Sequence, residues 1–317
     1  MPLSHPEMLQ DDCAGVARAA DVLRNGGLLG LPTETVYGLA ADARNGQAVA
    51  RIFEAKGRPK FNPLIVHVPS LDHVEELVEL GAGAQSLAEA FWPGAMTLVL
   101  PSKGAVADLV SGGLPTLAVR IPAHPLAQRV LQAFGGPIAA PSANPSGQVS
   151  PTQAAHVAAG LGAKVDAIID GGPCGVGLES TILAPSNSGV RLLREGGIAR
   201  EEIERLVGPL ADDLTPGRVE APGQMERHYA TNVPLVLGGE PQDGDIRIGF
   251  GPVAADLTLS ESGDLVEAAA RLFSVMHEAD ALARKTGAKR IHVADIPEVG
   301  LGRAINDRLR RASHPQA

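Results

Sequence analysis

Three cations stand within five residues in the segment Lys56-Gly-Arg-Pro-Lys-Phe-Asn-Pro-Leu64, directly ahead of an apolar run. The ordinary reading of such a cluster is a solvated helix end whose cations complement the helix dipole. Here Gly57 and Pro59 impose a fixed loop, and guanidinium or ammonium groups on a fixed backbone suit a polyphosphate. A second segment, Ala139-Ala-Pro-Ser-Ala-Asn-Pro-Ser-Gly147, is a small polar loop at the carboxyl end of a short apolar run. Open α/β sheets place ligands at such ends, although alone the segment reads as a Ser/Asn turn. A third, Asp170-Gly-Gly-Pro173 followed by Gly175-Val-Gly-Leu-Glu-Ser-Thr-Ile182, is a glycine-rich bend entering a strand that begins with two hydroxyls. It fits neither the Walker phosphate loop nor the dinucleotide fingerprint.

Two single residues belong with these segments. Arg120 closes the apolar run Leu117-Ala-Val-Arg-Ile-Pro122; a buried arginine needs an anion, and a structural Asp or Glu answers as well as a substrate carboxylate. His67 lies inside Leu64-Ile-Val-His-Val68, where a hydrogen-bonded core histidine is the better reading of the pattern. No Ser-His-Asp order or Cys-His pair stands out, so covalent catalysis has no support.

The elements that must position these residues alternate. Val16, Ala17, Ala20 and Leu23 lie at helical spacing over residues 12 to 25, Asn25-Gly-Gly27 stops the helix, and 28 to 31 reads as a buried strand. Further strands are predicted at 64 to 68, 96 to 100, 117 to 121, 137 to 140, 167 to 170, 181 to 184 and 191 to 194. Helices are predicted around 49 to 53, over 71 to 91 as one or two, and near 125 to 134, 152 to 160 and 199 to 207. Strands alternating with helices imply an α/β layer structure, and the short, turn-rich connections leave room for a mixed sheet. Residues 208 to 232, with Pro209, Pro216, Gly217, Pro222 and Gly223 and little periodicity, read as a linker or lid between a unit at 1 to 207 and a small α/β unit at 233 to 317. That last unit has strands at 235 to 237, 246 to 250 and 291 to 294 and a long helix over 265 to 283.

Bulk properties narrow the function. At 317 residues, with 44% hydrophobic and 20% charged residues, the chain has the composition of a folded two-domain protein. A net charge of -9 and 3% aromatic residues argue against coating nucleic acid. The start, MPLSHPEMLQDDC, lacks a basic n-region and an apolar h-region, and no apolar stretch is long enough to span a bilayer. Cys13 and Cys174 are far apart with no ligand spacing around them, so reduced thiols and a cytoplasmic location are expected, with no structural metal site.

Taken in order, the segments resemble the YrdC family, and the tail resembles its long two-domain members. The resemblance rests on Leu31-Pro-Thr-Glu-Thr-Val-Tyr-Gly-Leu39, the Lys56 to Leu64 segment, Phe91-Trp-Pro-Gly-Ala-Met-Thr97, Ala118-Val-Arg-Ile-Pro122, Pro141-Ser-Ala-Asn144, Asp170-Gly-Gly172, Glu179-Ser-Thr-Ile182 and Leu193-Arg-Glu-Gly196, with His228-Tyr229 in the linker. It implies a YrdC-like domain with a twisted mixed sheet flanked by helices, and a small Rossmann-like C-terminal domain. It also implies that ATP, L-threonine and bicarbonate are converted to threonylcarbamoyl-AMP and pyrophosphate, with Mg2+ accompanying the ATP. The product would serve a tRNA-modifying complex acting on the adenosine beside certain anticodons. By position, Lys56 and Arg58 are implied as catalytic phosphate contacts, and Asn62, Thr116, Ser142, Asn144, Ser150, Arg194 and Tyr229 as further ATP contacts. Thr33, Thr35, His67, Arg120 and Ser180 are implied as the threonine and carbamate pocket, with Arg120 on the amino-acid carboxylate.

This chain departs from the family at Ala140, where many relatives carry a hydroxyl, and in the linker, where Gln224, Met225, Glu226 and Thr231 replace the usual residues while Arg227, His228 and Tyr229 keep their places. The last unit matches weakly, through Ile296 to Gly302 and Ile305 to Arg308. An alternative reading is a double-stranded RNA or tRNA binding module, which the acidity and scarcity of aromatic residues disfavour. A carbamoyl-transfer enzyme of the hydrogenase-maturation type shares the YrdC-like domain, but this chain lacks the zinc-finger-like cysteines of such proteins.

Overall fold

A computed structural model describes residues 5–211, 220–222 and 228–314. Residues 223–227 of the linker, including Gln224, Met225, Glu226 and Arg227, lie outside the described residues. The larger sheet is built from β1 (Glu7–Leu9), β2 (Leu29–Leu31), β3 (Gly38–Asp42), β4 (Ile65–His67), β5 (Met96–Pro101), β6 (Thr116–Arg120), β7 (Ile138–Ala139), β8 (Ala167–Ile169), β9 (Thr181–Ser186) and β10 (Gly189–Arg194). Their spatial order is β1-β8-β2-β3-β7-β4-β6-β5-β9-β10. β4 runs parallel to β6 and β5 parallel to β9, while β7 pairs antiparallel with β3 and β4 and β10 with β9. The sheet is therefore mixed, as the short connections predict.

Helices cover both faces of this sheet. They are α1 (Cys13–Arg24), α2 (Gly46–Lys56), α3 (Leu71–Leu77), α4 (Ala82–Phe91), α5 (Asp108–Ser111), α6 (Pro125–Phe134), α7 (Ala154–Leu161) and α8 (Arg200–Val207). Buried faces of α1 and α6 meet over Leu29, Leu31 and Ile169 in one core, and α2, α4 and α7 bury Ile52, Leu87 and Val157 in a second. The predicted 71 to 91 helix is two helices, interrupted where the backbone at Val78 extends into a bridge with Ser102. Two strands of this sheet escape the sequence reading. β1 has three residues, and β3 is Gly-Leu-Ala-Ala-Asp, a composition with weak strand preference that pairs because β2 and β7 flank it.

The second unit holds β11 (Leu235–Leu237), β12 (Ile246–Gly249), β13 (Leu257–Thr258), α9 (Leu265–Thr286), β14 (Ile291–Val293) and α10 (Leu301–Ser313), with a parallel sheet in the order β11-β14-β12-β13. Its core is shared: Val36, Val149 and Leu178 of the larger unit and Tyr229 of the linker pack with Phe273 and Met276 of α9. Gly177 shows how close this contact is. Its φ is +72°, and a Cβ there would lie 2.4–2.5 Å from backbone atoms of Ala269 and Ala270, so only glycine fits.

Candidate active site

Parallel β4 and β6 end in register, which puts His67 beside Arg120. β7 ends next to them and turns into the Pro141 to Asn144 loop, Ser180 enters β9, and Arg194 ends β10 opposite Ile182. Around these strand ends is a cavity of about 50 Å³ lined by Thr33, Thr35, Val36, Gly38, Arg58, Ile65, His67, Arg120, Ala140, Pro141, Ser142, Glu179, Ser180, Arg194, Pro222, His228 and Tyr229. Nine of the residues singled out from the sequence therefore meet in one place: Thr33, Thr35, Arg58, His67, Arg120, Ser142, Ser180, Arg194 and Tyr229. Ala140 also lines the wall.

Four more sit behind that wall. Lys56, the last residue of α2, is buried, and its ammonium donates to the carbonyls of Ser142 and Asn144. It thereby clamps the polar loop, with one N–H to spare. The Asn62 side chain accepts from Nη2 of Arg58 at 2.6 Å, Asn144 donates to the carbonyls of Pro145 and Gln148, and the Ser150 hydroxyl donates to Glu179 Oε1 at 2.7 Å. Thr116 is elsewhere. It begins β6, about 13 Å along the strand from Arg120, and lines a separate cleft with Arg191 and Glu220. Ala221, buried on the same sheet face against Ile65 and Ala118, comes between Glu220 at that cleft and Pro222 at the first.

Each cation at the cavity is held by the backbone around it. Gly57, in the left-handed conformation at φ 62°, ends α2 and lets Arg58 turn inward, where it donates to Asn62 and to the Pro63 carbonyl. Arg194 donates through Nε and Nη2 to the Ser180 carbonyl and through Nη1 to Pro222. Arg120 donates to Gly94, to the Thr35 hydroxyl at 2.8 Å and to Glu34 at 2.6 Å. The structural acid left open for Arg120 is thus Glu34, a residue the sequence reading passed over between its two threonines. Thr33 spends its hydroxyl closing its own turn, donating to Val36 and accepting from the Thr35 and Val36 amides.

Burial, and then the guanidinium of Arg194, lowers Arg58 to about 9, and burial lowers Arg194 to about 10. Facing cations whose charged forms are disfavoured by desolvation are relieved by an incoming anion. Burial also lowers His67 and His228 to about 3, helped by Arg120 at His67 and by Lys56, Arg58 and Arg308 at His228. Both rings are neutral at physiological pH. Burial opposes the charge of Glu179, but Arg308, Arg194 and the Ser150 hydroxyl overcome it and hold the carboxyl at about 2. Nδ1 of His67, Nδ1 of His228, Oε2 of Glu34, Oδ1 of Asn144 and Nη2 of Arg308 are buried without a protein partner. Such orphans concentrate where a polar ligand binds.

These shifts set an acid limit on stability. Between pH 6.5 and about 3 the unfolded chain protonates His67 and His228 while the folded chain does not, so stability falls as the pH drops through that window. Glu179 acts in the same direction between 4.5 and about 2, its contribution being lost as the pH falls. The thermal unfolding midpoint is expected to decline steadily as the pH falls below about 6.5; a midpoint unchanged down to pH 4.5 would contradict this protonation scheme.

Tyr229 closes the site. Its φ of 64° is a costly conformation for an aromatic residue. It is held by the neighbouring His228 ring, by Phe273 of α9 with ring centroids 5.4 Å apart, and by the Arg308 guanidinium 5.5 Å from its centroid. Arg308, on α10, is fully buried and donates to Glu179 at 3.1 Å. The sequence reading gave no role to Glu34, Glu179 or Arg308. The first two were visible inside quoted motifs, but Arg308 had no signal beyond a weakly matching tail.

The sequence family described as "Telomere recombination", which groups the Sua5, YciO and YrdC proteins, matches residues 21–196, and that described as "Threonylcarbamoyl-AMP synthase, C-terminal domain" matches residues 198–314. The threonylcarbamoyl-AMP synthase of Pyrococcus abyssi is 42% identical, with 93% of each chain covered, and that of Bacillus subtilis is 40% identical, covering 94% of this chain and 92% of the relative. The crystal structure of P. abyssi Sua5 complexed with L-threonine superposes with a TM-score of 0.88 at 38% identity, covering 97% of each chain. Escherichia coli YciO, at 23% identity and a TM-score of 0.56, shares the fold over 61% of this chain. With both family regions matched in order and close relatives aligned almost end to end, the chain belongs to the Sua5, YciO and YrdC family in its two-domain form.

Proposed function

We propose that this protein is a threonylcarbamoyl-AMP synthase, acting on ATP, L-threonine and bicarbonate. The observation that carries the reading is the convergence of Arg58, Arg120 and Arg194 with hydroxyls from Thr35, Ser142 and Ser180 on one cavity drawn from distant parts of the chain. Family membership and the L-threonine complex of P. abyssi Sua5 support it.

The amine of threonine adds to carbon dioxide derived from bicarbonate and loses a proton, giving a carbamate. A carbamate oxygen then attacks the α-phosphorus of ATP, the bond to the bridging oxygen breaks, and pyrophosphate leaves. Two anions must be brought into line and the charge of the leaving group neutralised, work done by fixed cations rather than by a nucleophilic side chain. Arg58 and Arg194 face the triphosphate, and Lys56 shapes the Ser142 loop and offers its third N–H. Arg120 with Thr35 receives the threonine carboxylate, while neutral His67 and Ser180 supply hydrogen bonds without adding charge. Thr116 is the implied ATP contact that lies outside this cavity and its wall, in the neighbouring cleft.

Mg2+ enters as part of the ATP substrate. Among the described residues no group of three His, Cys, Asp or Glu is placed to hold a metal ion, and the cavity carboxylate Glu179 is already engaged by Ser150 and Arg308. The carbamate decomposes readily in water, so closure under Pro222, His228 and Tyr229 serves to exclude solvent. Two unpaired cysteines and substrates of the cell interior are consistent with a cytoplasmic enzyme that hands its product to a tRNA-modifying partner. Among the described residues no helix is long and apolar enough to cross a membrane.

The test is release of pyrophosphate from ATP with threonine and isotopically labelled bicarbonate, the nucleotide product being weighed by mass spectrometry. The expected product is an adenylate carrying the labelled carbon and threonine. Hydrolysis to AMP or ADP that is indifferent to threonine would overturn the reading.

A further inference from the structure

A carboxylate in a triphosphate site is a liability, because it repels the ligand and competes for its cations. Glu179 is in that position: it lines the same cavity as Arg58 and Arg194. Its two oxygens are nonetheless occupied from the other side, Oε1 by the Ser150 hydroxyl at 2.7 Å and Oε2 by Nε of Arg308 at 3.1 Å. Ser150 is neutral, so Arg308 is the cation hydrogen-bonded to the carboxylate. It comes from α10 in the C-terminal unit, 129 residues away in sequence, and is itself fixed by Asp307 at 2.9 Å, which Arg311 holds in turn at the same distance.

We propose that Arg308 is a positioning residue that sequesters the Glu179 carboxylate, so that Arg58 and Arg194 stay available for the phosphates of the nucleotide. The C-terminal unit thereby completes the site with one charge and does more than prop up the linker. Without Arg308 the buried carboxylate must find another cation. Arg194, whose guanidinium already stands within electrostatic range of Glu179, is the available partner, and pairing with it sets the carboxylate against the triphosphate. The inference rests on the reading of this cavity as the ATP site.

Calorimetric titration of Mg-ATP into the full chain tests both. Arg308→Met is expected to weaken ATP binding about tenfold or more, the size of one lost charge-assisted contact. The KM for ATP should rise by a similar factor while that for threonine moves little. Adding Glu179→Gln to Arg308→Met removes the freed carboxylate and is expected to recover most of the lost affinity, an outcome that a merely structural Arg308 or one touching nucleotide directly does not produce. Arg308→Lys, which keeps the charge but not the fork to Glu179 and Asp307, should bind ATP better than Arg308→Met, and it provides the comparison with the double variant if Arg308→Met alone fails to fold. A double variant that folds, by its melting curve, yet binds ATP no better than Arg308→Met, or more than tenfold worse than Arg308→Lys, would overturn the proposal. Wild-type protein that does not bind ATP at all would overturn the reading beneath it.

Discussion

Arg58→Ala is expected to lower threonine- and bicarbonate-dependent pyrophosphate release by about 10²- to 10³-fold, the usual consequence of deleting one preorganised electrostatic contact to a transition state. The side chain is rigid before any substrate arrives, because three hydrogen bonds to Asn62 and Pro63 orient it from behind and leave its cavity-facing side for the ligand. Its removal takes charge from the cavity and leaves buried acceptors of Asn62 and Pro63 without this donor, so a destabilisation of about 1–3 kcal/mol should accompany the collapse of kcat/KM. Arg58→Lys should recover only part of the activity, since an ammonium cannot reproduce the planar fork that both Asn62 and a phosphate engage. A variant as active as the wild type would mean that the phosphates bind elsewhere.

Lys56→Met is expected to fail differently. Its ammonium is buried beneath the loop and donates to two of its carbonyls, so the substitution leaves Ser142 and Asn144 without a donor and lets the loop relax. A destabilisation of about 2–4 kcal/mol is anticipated from breaking a buried charged hydrogen-bond set, with activity falling about 10²-fold because Ser142 no longer sits where a phosphate needs it. With melting and activity measured on the same preparation, Lys56→Met should lose more stability and less activity than Arg58→Ala. A Lys56→Met protein that melts like the wild type would show that the clamp carries no stability.

Much of the molecule was legible before its coordinates. Period and punctuation marked most of the helices and strands, and short local motifs marked nine of the residues that line the cavity. Motifs are visible because a phosphate or carboxylate site built on strand ends draws on brief runs of fixed backbone, in which Gly57, Pro59 and Pro141 leave a trace. Thr116, implied as a nucleotide contact by the resemblance, begins the strand that Arg120 ends and lines a different cleft. A strand separates its two ends by several residues' rise, and the far end of β6 opens onto another cleft.

By itself the sequence determined the alternating α/β order and which local segments carry cations and hydroxyls, since periodicity, turn residues and charge are properties of neighbours along the chain. Only the tertiary structure decided how those charges are balanced: that Glu34 answers Arg120, that Lys56 faces carbonyls, and that Arg308 crosses from the second unit to hold Glu179. Pairings between residues 86 to 129 positions apart arise because a desolvated charge must be met by whatever the fold places beside it, and no local pattern records that meeting.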